Sequence, residues 1–210
     1  MLGIYVYVPI ACFRKGQARE YLETEQLPPP ATCYGFLLSL VGETDRRRHI
    51  GCRVAPVLLN EPDQSVVLRT VWRIKSRPLG SAGNTRPDYQ QLLSPVDLVL
   101  WFDSAGEENR DATLEERVST ALTEPERIDR FGGLSLGEST HLVDEVRRFP
   151  GDASRSGRVF LLADRGRMTL PVWVDHVGSA ATNYVTGDLE LRSLVAPPLK
   201  QMPCIEPRRV

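Results

Sequence analysis

The chain has 210 residues, is 41% apolar and carries a formal net charge of −1. That length buries one sizeable core or two small ones, and the near-neutral balance by itself names no polyanionic partner. No run of about 18 apolar residues occurs, which argues against a helical membrane span, and "MLGIYVYVPIACFRKG" lacks the basic lead-in of a secretion signal.

The same N-terminal stretch reads as a strand. Leu2, Ile4, Val6 and Val8 alternate with Gly3, Tyr5 and Tyr7, giving one aliphatic face and one tyrosine face. Residues 14–27 are polar and irregular. "LPPPATCYGFLLSLVGE" then sets Tyr34, Leu37, Leu38 and Val41 at helical spacing behind a rigid proline entry, with Gly42 as its stop. "RRRHIGCRVAPVLLN" leads into a second strand and "SVVLRTVWRIK" forms a third. Alternation in that third strand turns Val66, Leu68, Thr70, Trp72 and Ile74 toward a core, and Arg69, Arg73 and Lys75 outward as a row of cations. Gly80, Gly83, Asn84 and Pro87 mark residues 77–95 as a long excursion. "VDLVLWF" returns as a strand, and Thr113-Leu114-Glu115-Glu116 is a capping box that opens a helix ended by Pro125. "RVFLLA" and "LPVWV", joined by "DRGRMT", read as a hairpin with Arg165 and Arg167 at its tip, and the tail from Pro197 runs extended. This order of elements predicts an α+β fold, an antiparallel sheet with helices on one face.

Cys12, Cys33, Cys52 and Cys204 have no metal-ligand spacing and are expected as free buried thiols in a reducing cytoplasm. His49, His141 and His176 form no HExxH motif, no GxSxG is present, and neither a metal nor a cofactor is expected. Basic residues are 23 Arg and 3 Lys, either a genomic bias or a preference for the guanidinium fork that suits phosphates. Charge is also segregated. Residues 44–90 hold 9 basic against 4 acidic side chains, while residues 91–145 hold 4 against 13. A near-neutral chain with that distribution presents a basic face and an acidic face.

"GGLSLGES", residues 132–139, nearly matches the phosphate loop G-x-x-x-x-G-K-[ST], but Glu138 stands at the lysine position. A carboxylate there opposes a triphosphate, and no apolar strand precedes the motif, so nucleotide hydrolysis is not expected. Two readings stay open. One is a plain glycine turn; the other is a loop where a polynucleotide backbone approaches Gly132, Gly133 and Gly137, with Ser135, Ser139 and Thr140 as donors. Arg46-Arg47-Arg48, the row Arg69, Arg73 and Lys75, and the Arg165/Arg167 tip supply a backbone track. Tyr5 and Tyr7 either stack bases or face a second core layer.

Three segments carry a family resemblance: "ACFRKGQAREYLETEQLPPPATCYGFLLSLVGE", "RPDYQQLLSPVDLVLWF" and "RFGGLSLGESTHLVDEV". Together they resemble the fifth family of CRISPR-associated proteins, a branch of the RAMP superfamily and a subunit of the type I surveillance complex, Cascade. The resemblance implies a ferredoxin-like, RRM-type domain over residues 1–146 with a protruding thumb at about 77–95, and a β-rich extension over 147–210. It implies a non-catalytic subunit that binds the 5′ handle of the CRISPR RNA and caps the filament of backbone subunits beside the large subunit, meeting target DNA only through the complex. Arg14, Arg46, Arg47, Arg69, Arg73, Lys75, Gly132, Gly133, Ser135, Gly137, Ser139, Thr140 and His141 are then the expected RNA-binding residues. Ala31 departs from the family, which more often has serine there. Some members cut precursor RNA without metal; Lys75 and His141 are the only candidates here for that chemistry, which makes self-processing the second reading. A structural assembly module without RNA contact is the third.

Overall fold

A computed structural model of the chain describes residues 1–18, 20–72, 81, 84–108, 111–177 and 179–208. The N-terminal alternation becomes β1, Leu2–Val8, and its four aliphatic side chains are buried. A two-residue strand, β2 (Tyr21–Leu22), interrupts the irregular strap that follows. Helix α1 spans Pro30–Leu40. Pro30 starts it at no cost, because the first turn has no intrahelical partner for an N–H and the ring presets φ. Gly42, at φ 66°, stops it; a Cβ there would lie 2.1 Å from the Asp129 carbonyl oxygen, so only glycine fits.

The remaining elements are β3 (Arg53–Leu58), β4 (Asp63–Trp72), β5 (Thr85–Ser94), β6 (Val96–Asp103), α2 (Leu114–Thr123), β7 (Glu145–Arg148), β8 (Asp152–Leu162), β9 (Met168–Trp173) and β10 (Asn183–Leu194). The main sheet runs β7-β1-β6-β3-β8-β10-β9. Its first four strands, with α1 and α2, form the β-α-β-β-α-β ferredoxin-like arrangement, the α+β fold expected. Both helices lie on one face, where Phe36, Leu37, Leu114 and Val118 join Ile4, Val6, Leu98 and Leu100 in one core. The capping box of α2 forms: the Thr113 hydroxyl accepts from the Glu116 N–H, and the Glu116 carboxylate accepts from the Thr113 N–H.

Three local expectations fail, each for a physical reason. β4 does not enter the core, and Val66 and Leu68 are 48% and 63% exposed. Its partner is β5 in a separate sheet ordered β2-β5-β4, so the β4–β5 ribbon leaves the main sheet, and among the described residues no second layer covers it. Ile74, Arg73 and Lys75 lie outside the described residues. The returning half of the 77–95 excursion is regular: Thr85–Ser94 is strand despite Pro87. The Tyr89 N–H donates to the Glu20 carbonyl on the β2 side. Residue 87 faces the same way but lies beyond the reach of β2, so its missing N–H costs no bond. The ribbon, inserted between β3 and β6, therefore begins at Asp63, earlier than the residue-77 boundary. Finally, β8 and β9 are not a hairpin pair, because β10 inserts between them and bonds to both.

β8, β10 and β9 continue the main sheet past β3 and curl it back over α1. Val172 and Trp173 thereby enter the same core as α1, and the Trp173 and Tyr34 rings stand 6.5 Å apart. The tail is extended apart from a short turn at Leu199–Gln201, and Ile205 exchanges backbone bonds with Gly51 and Cys52.

Candidate nucleic-acid interface

The curl of the sheet brings three distant segments around a cleft of about 320 Å³. Ala31, Thr32 and Gly35 of α1 form one wall, Ser135 and Gly137 of the glycine loop a second, and Val174 and His176 just past β9 the third. Arg46 completes it and is held on three sides. Its Nη2 donates to the Val174 carbonyl at 2.7 Å, its guanidinium lies 4.0 Å over the Trp173 ring, and its own carbonyl accepts from the Tyr34 hydroxyl at 2.8 Å. A guanidinium stacked and bonded along one edge is preorganised, and Arg46 lines the cleft in that fixed position. The N-terminal end of α1 adds a partial positive charge from its backbone dipoles.

The glycine loop divides into two halves. Gly132, at φ 76°, has open space around the position of a Cβ, and a Cβ on Gly133 would meet only the end of the Leu142 side chain at 3.3 Å. Gly137 differs: at φ 102°, its Cβ would lie 2.7 Å from the Cys12 carbonyl oxygen. The close approach that Gly137 permits is therefore made by the chain's own backbone, as in the plain-turn reading. His141 fastens the same point. Its Nδ1 accepts from the Cys12 N–H at 3.1 Å and from the Glu138 N–H at 3.2 Å. Ser139 and Thr140 are exposed at the loop's tip.

Glu138, which occupies the lysine position of a phosphate loop, forms an ion pair with Arg69 at 3.1 Å. Arg69 also donates to the Gln90 side chain, so two partners on this chain already occupy it. This ties the glycine loop to the ribbon. Arg14 is exposed in the strap after β1 and donates to the Ala18 carbonyl at 3.0 Å. Arg47 is exposed beside Arg46. Of the expected residues, Arg46, Ser135 and Gly137 thus share the cleft, Arg69 and His141 stand behind the loop, and Arg14 lies apart. Tyr5 is no free platform: its hydroxyl donates to Asp97 at 2.6 Å and Arg147 covers its ring at 4.3 Å. Burial and the Asp97 carboxylate push its hydroxyl up to about 12.

Sequence reasoning missed His176 and Val174. Neither carries a motif, and only the curl of the sheet brings them to α1. All four cysteines are free thiols whose burial pushes each pKa up, away from thiolate chemistry. Among the described residues, no group of three His, Cys, Asp or Glu side chains could hold a metal ion, and no helix is long and apolar enough to cross a membrane.

His141 gives the fold a pH dependence. Burial holds its imidazole below the usual histidine range. The unfolded chain therefore takes up this proton first, and stability falls as pH drops from about 6.5 through the lowered native value. Urea midpoints between pH 7.5 and 5 are expected to fall more steeply in the wild type than in His141→Asn, whose Oδ1 stands where Nδ1 does and can accept the same bonds; parallel curves refute this origin.

No family model matches the chain. It is 52% identical over 208 residues, 98% of this chain and 97% of the relative, to "CRISPR-associated protein Cas5" of Myxococcus xanthus (strain DK1622). Among solved structures, it superposes on a "CRISPR RNA-guided surveillance complex" chain with a TM-score of 0.64 and 14% identity, over 95% of each chain. A chain of the "Type III-B Cmr-beta bound to cognate target RNA and AMPPnP" gives a TM-score of 0.51 at 10% identity, over 89% of this chain and 84% of that one. At such identities the likeness is one of fold.

Proposed function

The chain belongs to the Cas5 family of CRISPR-associated proteins, and from that premise we propose that it is a non-catalytic, CRISPR RNA-binding subunit of a type I surveillance complex. In this reading it holds the 5′ handle in the Arg46 cleft and caps the filament of backbone subunits next to the large subunit. Target DNA is met through the complex.

The observation that carries this reading is the preorganised Arg46, facing a cleft that also offers serine and threonine hydroxyls and a helix N-terminus. Each of these recognises a sugar–phosphate backbone without reading its sequence. The ribbon suits assembly: Val66 and Leu68 stand exposed on it, with no layer above them among the described residues. Self-cleavage finds less support. A base or acid at His141 would have to release the two backbone N–H groups that its Nδ1 holds, and Lys75 lies outside the described residues.

Binding of a labelled handle RNA is expected to weaken steeply with salt. Arg46→Ala should weaken it about tenfold or more, the loss of a charge-assisted hydrogen bond. Arg69→Ala should cost less than about threefold, since Glu138 already neutralises that side chain. Equal effects of the two substitutions in a fluorescence-anisotropy titration would count against the Arg46 cleft as the RNA site.

A further inference from the structure

A second cleft, of about 370 Å³, opens where the strap after β1, the root of the ribbon and the first residues of β9 meet. Its lining is polar but carries little net charge, with Lys15 and Arg167 set against Glu23 and Glu25. Gln91 is fixed on both sides: its Oε1 accepts from the Thr24 N–H at 3.0 Å and its Nε2 donates to the Tyr21 hydroxyl at 3.2 Å. Gln64 offers an exposed amide, and the carboxylate of Glu25 is half-buried. Desolvation raises the Glu25 pKa, the sign of a carboxylate short of donors. Beside Gln91 stand Tyr21 and Tyr89, 43% and 51% exposed, with ring centroids 6.4 Å apart.

Such a lining suits a nucleobase better than a phosphate. Lys15 already pairs with Glu23 at 3.7 Å and Arg167 with Asp188 at 3.3 Å, so neither cation is unengaged for a phosphate, whereas amides and a carboxylate match the hydrogen-bonding edge of a base, and tyrosine faces accept its ring. The carboxylate also selects among bases, since it can only accept. Guanine presents two adjacent donors, N1–H and N2–H, with O6 beside them for an amide N–H. β9 connects the two clefts: Met168 and Thr169 line this one, and Val174 and His176, just past its far end, line the other. Its six residues span about 17–20 Å, a reach of a few nucleotides.

We propose that this cleft is a base-reading subsite for an unpaired guanine of the RNA strand that leaves the Arg46 cleft along β9, with Glu25 accepting from the guanine edge and Gln64 donating to O6. The proposal rests on the RNA-binding reading. It is tested with eight-nucleotide oligouridine probes carrying one central guanosine, adenosine or cytidine, against all-uridine, by fluorescence anisotropy on the full chain. The guanosine probe is expected to bind about tenfold more tightly than all-uridine. Glu25→Gln and, separately, the exposed Gln64→Ala should each shrink that preference several-fold while leaving all-uridine binding within about twofold. Circular dichroism checks that both variants are folded. Arg46→Ala should weaken every probe alike. Even binding of all four probes, or a guanosine preference that survives both substitutions, overturns the subsite and leaves RNA binding standing. Failure of every probe to bind overturns both.

Discussion

Glu107→Ala is expected to destabilise the fold by about 3–5 kcal/mol, the cost of leaving two buried donors without their acceptor. Glu107 and His49 are 2% and 1% exposed. The Glu107 carboxylate takes His49 Nδ1 at 2.7 Å and the Leu114 N–H, the first of α2, at 3.2 Å. On the far side of the ring, Arg117 reaches His49 Nε2 at 2.9 Å, pairs with Glu43 and donates to the Val41 carbonyl at 3.2 Å. One carboxylate therefore joins the end of α1, the loop before β3 and the start of α2. Its loss strands a buried imidazole and a helix N–H in a site too dry to hydrate them. For a chain of this size, about 10 °C or more should disappear from the thermal midpoint. Glu107→Gln, which keeps an acceptor, should lose clearly less. A shift below about 3 °C for the alanine variant, measured by calorimetry, would mean that the network contributes little.

Gly137→Ala should be the second large loss, at about 2–4 kcal/mol, because a left-handed backbone and a collision with a carbonyl act together. The colliding atom is the Cys12 oxygen, 2.7 Å from the added carbon and part of a backbone held by His141. Neither neighbour can yield without opening the loop. Gly133→Ala meets only the flexible end of Leu142 and should stay within about 0.5 kcal/mol. Denaturant melts of the two variants side by side decide the matter. If both are equally mild, the Cys12 contact does not constrain the loop. The pair also separates the two readings of the glycine motif: Gly137 serves the fold, whereas Gly132 faces open space and Gly133 only the flexible end of Leu142.

Much of the fold was written locally. Alternation exposed β1, prolines and Gly42 bounded α1, and Thr113 with Glu116 announced α2, since each signal lies within a few residues of its effect. Failures arose where the deciding partner was remote. Alternation in β4 distinguishes two faces but cannot tell whether a second layer exists to cover one of them. β8 and β9 look like neighbours until β10, later in the chain, takes the place between them. The cleft is non-local in the same way. Arg46 and Ser135 were legible as polar residues suited to phosphate, whereas His176 joins them only through the sheet's curl. Glu138 shows a motif position changing its meaning. Where a phosphate loop places lysine, this chain places the partner of Arg69.

The ribbon has a consequence for how the protein must be made. Among the described residues its outer strand, β4, shows no partner beyond β5 in the sheet, and Val66, Val67 and Leu68 are exposed along it. An uncovered apolar edge pairs readily with its own kind, and nothing along Val66–Leu68 carries the charge or proline that usually blunts such an edge. Copies synthesised in excess of whatever covers the ribbon are the copies that clump or fall to proteases. Soluble recombinant protein is then best sought by co-expression with candidate partners, and a soluble fraction that rises with one of them would identify what covers the ribbon.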